Sequence, residues 1–136
     1  MANRSERRRL ILLAEDNDDQ RYMLRMWLAN RGFDVVEASN GGEAVELCQR
    51  QVPDLILTDL QMPGIDGITA IKFIRRDVRL RDIPIIAVSA FGSWGMDLFL
   101  DIESFGDAPI EYIAKPLSFE SLNEVLTKLL PRQMGA

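Results

Sequence analysis

Short apolar runs of strand length alternate along this chain with longer segments in which apolar residues recur at helical spacing. The run at 54–58 is apolar on both faces, which is typical of a central strand in a parallel sheet. Strands are predicted at residues 9–14, 33–37, 54–58, 85–88 and 110–114. Because strands and helices alternate, the pattern predicts an α/β domain with one doubly wound, five-stranded parallel sheet and five helices.

The predicted helices start after residues that cap helices or form turns, and they stop near glycine or proline. Starts are expected after Asn17-Asp18-Asp19, Asn40, Gly67 and Ser118, and stops at Gly32 and Pro53. Apolar residues at helical spacing predict which side of each helix faces the core. In chain order they are Leu24, Trp27 and Leu28; Ala44, Val45, Leu47 and Cys48; Ile68, Ile71 and Ile74; and Leu122, Val125, Leu126 and Leu129.

The segment between the last two predicted strands is the least regular part of the pattern. Gly92 and Gly95 disfavour an early helix there, because glycine is a poor helix former. Asp97 is the predicted cap of a shorter helix that would run through about residue 104. We therefore expect an atypical fourth-helix region between residues 91 and 109.

Composition indicates a single soluble domain. The chain has 136 residues, of which 47% are hydrophobic and 27% are charged. No apolar run is long enough for a signal peptide or a spanning helix, so a cytoplasmic location is expected. Residues 1–8 are expected to form a flexible basic arm, 9–131 the domain and 132–136 a C-terminal tail. The arginines of the arm are either solvated or in contact with an acidic partner or neighbouring domain.

The chain contains no histidine and one cysteine. Without histidine it cannot form a Ser-His-Asp or Cys-His arrangement, a histidine-ligated metal site or a phosphohistidine. Any phosphoryl group that arrives through histidine must therefore come from another protein or domain. Cys48 can form no internal disulfide, and a buried place in a helix is its expected role. The net charge of −5 argues against bulk affinity for nucleic acid.

Polar groups follow several of the predicted strands at the point where each strand ends. Glu15 and Asp16 follow the first strand, Asp59 the third, Ser89 the fourth and Lys115 the fifth. Parallel strands bring their carboxyl ends to one edge of the sheet, where the ligands of open α/β sheets bind. Three carboxylates and one ammonium at that edge predict a site for a divalent cation and for phosphoryl chemistry.

Four motifs, in this order, resemble those of bacterial response-regulator receiver domains. They are Leu12 to Asn17, Thr58 to Gly67, Ser89-Ala90 and Ala114 to Pro116. The resemblance extends from Leu10 to Leu130. It implies a flavodoxin-like sheet with strand order 2-1-3-4-5 and a phosphorylation-dependent switch of a two-component system or phosphorelay. Such a domain is a signalling protein that catalyses its own phosphoryl transfer and slow dephosphorylation.

The resemblance also implies a role for each site residue. Asp59 accepts a phosphoryl group from a phosphohistidine of a sensor histidine kinase or a histidine phosphotransfer protein. The Mg²⁺ site comprises Glu15, Asp16, Asp59 and the backbone carbonyl of Gln61. The phosphoryl contacts are Ser89 and Lys115, and the switch residues are Ser89 and Tyr112.

Phosphoryl transfer to a carboxylate requires these residue types, independently of the family resemblance. A carboxylate attacks phosphorus only if the charge that builds on the phosphoryl oxygens is neutralised, as Mg²⁺ and Lys115 would do. Mg²⁺ keeps several of its waters, so Asp16 and Asp59 would be direct ligands and Glu15 would hold waters. Lys115 would pair with Asp59 before phosphorylation and with a phosphoryl oxygen afterwards. The resemblance also implies a cis peptide bond between Lys115 and Pro116, which a proline permits at a cost of only about 0.5–1 kcal/mol.

Two further expectations concern signal lifetime and partners. In the family, the residues two positions after the phosphoacceptor and two after the hydroxyl residue flank the hydrolytic water, and here they are Gln61 and Phe91. Phe91 cannot orient water, and its cover over the phosphoryl group predicts a long-lived phosphorylated state. The face formed by residues 94–130, with an apolar cluster that includes Trp94, is expected to contact a partner or a second copy.

Proteins of other classes fit the sequence less well. A haloacid-dehalogenase-like phosphatase would carry an Asp-x-Asp motif. In this chain the residue two positions after Asp59 is Gln61, not a second acid. A dinucleotide-binding enzyme would need Gly-x-Gly-x-x-Gly after the first strand, and a P-loop NTPase would need Gly-x-x-x-x-Gly-Lys. The alternative that stays open is a phosphorylation-independent interaction module with a receiver fold.

Overall fold

The computed structural model of this protein describes residues 8–62, 64, 67–90 and 108–130. These residues form five strands and four helices. The strands are β1 (Leu10–Ala14), β2 (Asp34–Ala38), β3 (Leu55–Asp59), β4 (Ile85–Ser89) and β5 (Ile110–Ala114). The helices are α1 (Asp18–Asn30), α2 (Gly41–Arg50), α3 (Gly67–Arg76) and α4 (Phe119–Leu129).

The five strands form one parallel sheet with the order β2-β1-β3-β4-β5. This order confirms the doubly wound fold. The chain winds from β1 to β2 and then returns to the other side of β1 with β3, so the winding direction reverses between β1 and β3. Open α/β sheets bind their ligands beyond the carboxyl ends of the strands at such a reversal, which here lies beyond Ala14 and Asp59.

The sheet has an apolar core on each face. Alternate residues of a strand point to opposite faces, so β1 places Leu12 in one core and Leu13 in the other. The core beneath α2 and α3 includes Ala44, Cys48, Ile56, Ile71, Ile74 and Ile85. The core beneath α1 and α4 includes Leu24, Leu28, Leu57, Leu122 and Leu126. Because β3 and β4 are buried along their whole length, their carboxyl ends have little freedom to move.

The caps of three helices are as predicted. Asn17, Asn40 and Ser118 each accept a hydrogen bond from the backbone N–H three residues later. The first helix ends before Gly32, whose φ of 98° lies in the left-handed region that favours glycine. The predicted start of the second strand at residue 33 is wrong by one residue. The N–H of Phe33 donates to Leu28 O, so pairing with β1 begins only at Asp34.

Arg8 is half-exposed, and its side chain contacts the domain. Its guanidinium donates to the carbonyl oxygens of Ala29, Gly32 and Phe33 and lies 3.3 Å from an Asp34 carboxylate oxygen. The remainder of the predicted arm, the predicted fourth helix and the predicted C-terminal tail lie outside the described residues. None of the four helices has the length and hydrophobicity that a membrane crossing requires.

Arg75, near the end of α3, is a buried cation with backbone partners. Its side chain donates to the carbonyl oxygens of Arg81, Ile83 and Pro109 at 2.8, 2.7 and 3.4 Å. Burial lowers the pKa of Arg75 to about 10, and the charge of Asp82 opposes that shift. The guanidinium therefore joins the end of α3 to the residues that enter β4 and β5.

The buried thiol of Cys48 should be inert in the folded protein. Burial raises its pKa to about 12, so the reactive thiolate is scarce at pH 8. We expect Ellman's reagent to label the native chain at least a hundredfold more slowly than the chain in guanidinium chloride at the same pH. Equal labelling rates would contradict the placement of Cys48 in the core beneath α2.

Candidate functional site

Four charged side chains meet beyond the carboxyl ends of β1, β3 and β5. Carboxylate oxygens of Glu15, Asp16 and Asp59 all lie within 4.8 Å of one another. The ammonium of Lys115 lies 2.8 Å from Asp59 Oδ2 and 3.8 Å from Glu15 Oε1. The predicted convergence of these residues at one edge of the sheet is therefore observed.

The turn after β1 presents the first two acids in different environments. The N–H of Glu15 donates to Ala38 O and so continues the pairing of β1 with β2. Its side chain folds back and accepts a hydrogen bond from the N–H of Asn17. Glu15 is buried and Asp16 is exposed, so Asp16 is the acid that solvent reaches directly.

Arg21 supports this turn, and the sequence analysis missed it. Its guanidinium donates to Glu15 O at 2.8 Å, to Asp18 Oδ1 at 2.7 Å and to Glu37 Oε1 at 3.3 Å. A cation near the N-terminus of a helix is disfavoured by the helix dipole, so its presence signals local acceptors. That signal, together with Asp18 three residues earlier, could have identified Arg21 as a support of the site.

Asp59 is a nearly buried acid that contacts the lysine directly. It ends β3, pairs with Val88 of β4 and is only 5% exposed. Its Oδ1 accepts from the N–H of Gln61 at 2.9 Å, while its Oδ2 accepts from Lys115 Nζ. Two donors thus hold a nearly buried carboxylate in one orientation.

The electrostatics of the cluster are those of excess negative charge. Burial raises the pKa of Glu15, and the charge of Asp59 adds to that shift, while the N–H of Asn17 and the charge of Lys115 oppose it. Ionising Glu15 therefore costs more in the folded than in the unfolded chain, and this cost appears as pH rises through the ordinary carboxyl range. Partial burial acts to lower the pKa of Lys115, but Asp59, Glu15 and Asp16 outweigh it, so its pKa lies above the ordinary value.

The donor set suits a hard divalent cation. Three carboxylates face one ammonium, so the cluster carries a net charge of about −2 when all four groups are ionised. Oxygen ligands of this kind are those that Mg²⁺ prefers in proteins. The residues present therefore fit a magnesium site, with the exposed acid on the solvent side and the buried ones within.

The hydroxyl of Ser89 lies at the end of the neighbouring strand. Ser89 is fully buried, and its carbonyl accepts from the N–H of Lys115, which ties β4 to the residue after β5. Its Oγ lies 3.5 Å from Gln61 Oε1, and the same oxygen accepts from the N–H of Ala90 at 3.2 Å. The peptide bond that follows Lys115 is cis, as expected.

Two other predicted residues have different outcomes. Tyr112 is half-buried in β5, opposite Ala87, and packs against the core beneath α2 and α3. Phe91 lies outside the described residues, so its predicted role in shielding the phosphoryl group stays a prediction.

A cavity of about 250 Å³ opens beside the cluster, between α1 and the start of α4. Asp59, Glu15 and Lys115 line one part of it, and Met23 and Phe119 line another. Met23 is 55% exposed and Phe119 37% exposed. The acidic cluster is therefore reached past an apolar surface.

Gly67 lets α3 begin directly against the end of β3. Its N–H donates to Leu60 O, and a Cβ at this position would overlap Asp59 O and lie 2.7 Å from Leu60 Cα. Only glycine permits so close an approach of two backbone segments. The start of α3 thus fixes the backbone that carries Asp59.

Known proteins are similar to this chain in sequence and in fold. The family model of the response regulator receiver domain matches residues 11–127. The polar-differentiation response regulator DivK of Brucella anthropi is 34% identical over 121 residues, which are 88% of this chain and 94% of DivK.

Two solved structures are also similar. The receiver domain of sensor histidine kinase PA1611 from Pseudomonas aeruginosa, with a magnesium ion coordinated in its active-site cleft, superposes with a TM-score of 0.79 at 30% identity, covering 96% of this chain and 100% of that one. Response regulator TrrA from Thermotoga maritima, in complex with Mg²⁺ and BeF, gives a TM-score of 0.76 at 31% identity, covering 90% and 99%.

Gly67→Ala tests the close approach beneath Asp59. The new methyl group would overlap backbone atoms that cannot rotate away, so we expect a loss of about 3 kcal/mol or more in unfolding free energy. Gly64→Ala is the matched control, since its site is open but its φ of 72° costs a side chain about 1–2 kcal/mol. Urea unfolding of both variants measures the difference, and a smaller loss for Gly67→Ala than for Gly64→Ala would contradict the contact.

Proposed function

This chain belongs to the response regulator receiver domain family of two-component signalling, and from that membership and its site we propose a phosphorylation-dependent switch. Asp59 accepts a phosphoryl group from a phosphohistidine on a sensor histidine kinase or a histidine phosphotransfer protein. The observation that carries the proposal is the ion pair of Lys115 with Asp59 beside two further carboxylates.

The acids have separate roles in holding Mg²⁺. Asp16 and Asp59 are the direct ligands, together with the backbone carbonyl of Gln61, and Glu15 holds metal-bound waters. A bound Mg²⁺ would supply neutralisation of the charge on the transferring phosphoryl oxygens. The net negative charge of the cluster and its exposed acid support this assignment.

Phosphoryl transfer breaks one bond and forms another at phosphorus. An Asp59 carboxylate oxygen attacks as the P–N bond to the donor imidazole breaks, and the leaving nitrogen takes a proton from solvent. Lys115 is placed to follow the charge, because its ammonium already contacts Asp59 Oδ2 and can move to a phosphoryl oxygen. Its raised pKa keeps it charged throughout.

The switch arises from groups that the new phosphoryl oxygens attract. Ser89 Oγ lies at the end of the strand next to Asp59 and would turn towards the phosphoryl group. Tyr112, half-buried on the neighbouring strand, would pack further inward as Ser89 moves. The output of the switch is then a change in the surface around β5.

We expect the phosphoryl donor to be a protein that docks on this chain, and not only a small molecule. Exposed Met23 on α1 and Phe119 on α4 line the cavity beside Asp59, and α1 also exposes Tyr22 and Met26. Apolar side chains in such number next to a charged site fit the contact surface of a partner that carries histidine. The alternative of a phosphorylation-independent module is not favoured, because it would need none of the acids or the lysine.

Mg²⁺ should stabilise the folded chain. The cation relieves the repulsion among Glu15, Asp16 and Asp59, and at ten times the dissociation constant the gain is about 1.4 kcal/mol. Asp16→Asn should weaken the response, whereas Asp19→Asn, a nearby exposed acid on α1, should not. Urea unfolding with MgCl₂ and with NaCl of equal ionic strength measures the gain, and no difference between the salts would rule the site out.

Asp59 should be the only residue that takes up phosphoryl. Incubation with acetyl phosphate and Mg²⁺ should add the mass of one phosphoryl group to the parent chain and to Asp19→Asn, and none to Asp59→Asn. Intact-mass spectrometry measures the addition, and circular dichroism checks that the variant is folded. One phosphoryl group on Asp59→Asn would show that another residue is the acceptor.

A further inference from the structure

Two ion pairs join helix α1 to the edge strand β2 close to the acidic cluster. The Nε of Arg21 lies 3.3 Å from Glu37 Oε1, and the Nε of Arg25 lies 3.2 Å from Glu37 Oε2. The two arginines stand four residues apart, so they project from the same side of α1. Glu37 lies opposite Leu13 where β2 pairs with β1 at the edge of the sheet. One carboxylate of the edge strand therefore contacts two guanidinium groups of one helix.

Arg21 also reaches the turn that carries the acids. A second nitrogen of its guanidinium donates to Glu15 O at 2.8 Å, and a third nitrogen donates to Asp18 Oδ1 at 2.7 Å. The Asp18 side chain is exposed, so water screens that ion pair. The side chain of Arg21 itself is only 18% exposed. Arg25, in contrast, lies over the ring of Tyr22, which is exposed on α1.

Strand β2 holds the backbone of Glu15 at both its N–H and its carbonyl. The N–H donates directly to Ala38 O. The carbonyl accepts from Arg21, which in turn contacts Glu37, the residue before Ala38. Because the Glu15 carbonyl and the Asp16 N–H belong to one planar peptide unit, Arg21 fixes the plane from which Asp16 projects. The contact with Arg21 thus limits the directions open to the Asp16 carboxylate.

We propose that Glu37 and Arg21 are positioning residues for the Mg²⁺ site. Together they hold the peptide unit before Asp16 in the orientation that places its carboxylate beside those of Glu15 and Asp59. This inference rests on the proposed function and adds the support of that same site. Glu37 also offsets the charge of Arg21, which would otherwise repel a bound cation. The edge strand thus contributes to metal binding without supplying a ligand.

Two other roles of the ion pair give different results when it is broken. An ion pair that only stabilises the fold would change the unfolding free energy and leave the Mg²⁺ affinity unchanged. A guanidinium that acts only through its charge would repel Mg²⁺, so its removal would strengthen binding. A positioning residue gives the opposite sign, because its removal frees the turn and weakens binding although a positive charge is lost.

The first test measures the Mg²⁺ affinity of two matched arginine variants. Arg21→Met and Arg25→Met each remove one guanidinium that contacts Glu37, and of the two it is Arg21 that donates to Glu15 O. MgCl₂ is titrated at constant ionic strength, and the NMR shift of the Asp16 amide is the readout. We expect the dissociation constant to rise about two- to tenfold in Arg21→Met, the effect of one hydrogen bond, and to stay equal or fall in Arg25→Met. An equal or lower constant in Arg21→Met, or the same rise in both variants, would overturn the proposal.

The second test removes the carboxylate that holds the guanidinium. Glu37→Met keeps the length of the side chain and removes both oxygens, and Glu46→Met removes an exposed acid of α2 as the control for one lost negative charge. The dissociation constant should be about two- to tenfold higher in Glu37→Met than in Glu46→Met. The double variant Arg21→Met/Glu37→Met should bind no more weakly than Arg21→Met, because both changes break the same bridge. Equal constants in Glu37→Met and Glu46→Met, or additive losses in the double variant, would contradict the bridge.

A measurement without Mg²⁺ separates the two proposals. Hydrogen exchange of the Arg21 Nε–H, followed by NMR, should be about two- to tenfold faster in Glu37→Met than in the parent, and unchanged in Glu46→Met. Equal exchange in Glu37→Met and the parent would show that the bridge does not form. If the parent binds no Mg²⁺, the proposed function loses its metal site, whereas equal Mg²⁺ affinities in the parent and the variants overturn only the positioning role. Urea unfolding identifies the variants that are folded, and if Arg21→Met does not fold, the titration of Glu37→Met decides.

Discussion

The charge balance around Asp59 is the constraint on which the rest of this structure depends. Glu15, Asp16 and Asp59 bring three carboxylates within 4.8 Å, and Lys115 offsets only one of them. Such a cluster is unfavourable in isolation: burial raises the pKa of Glu15, and the charges of Asp59 and Asp16 add to that shift. The fold tolerates it because the sheet, the N–H groups of Asn17 and Gln61 and the guanidinium of Arg21 hold the turns in place. A site under this strain is one that a cation or a phosphoryl group can change.

Much of the fold and the centre of the site could be predicted from the sequence. Apolar runs and capping residues predicted every strand and four helices within one or two residues, since those signals are local. Parallel strand order then placed Glu15, Asp59 and Lys115 together. The contacts of Arg21 with Glu15 O and of Gln61 with Ala90 could not be predicted, because each depends on a rotamer that reaches a backbone atom of another segment. The prediction of a strand at Phe33 is wrong for a similar reason, because the N–H of Phe33 donates to the carbonyl of Leu28 near the end of α1.

The site combines fixed backbone with side chains that can change partner. β3 and β4 are buried throughout, and Gly67 allows α3 to begin directly against Asp59 and Leu60. A charge added at Asp59 therefore cannot be absorbed by movement of the strands. In the proposed switch it would act instead on side chains such as Lys115, whose ammonium lies within reach of both Asp59 and Glu15. The proposed change would then start at these side chains and reach the surface through β5.

The buried guanidinium of Arg75 affects which positions of this sequence can be substituted during evolution. Its three hydrogen-bond acceptors among the described residues are carbonyl oxygens, which are present whatever side chains residues 81, 83 and 109 carry. Those positions can therefore be exchanged over generations without loss of the contact. Position 75 cannot, because only arginine offers a planar fork of donors that meets several carbonyls at once. The sequence of the segment that ends at Pro109 can thus change, while the hydrogen bond from Arg75 still holds its junction with β5.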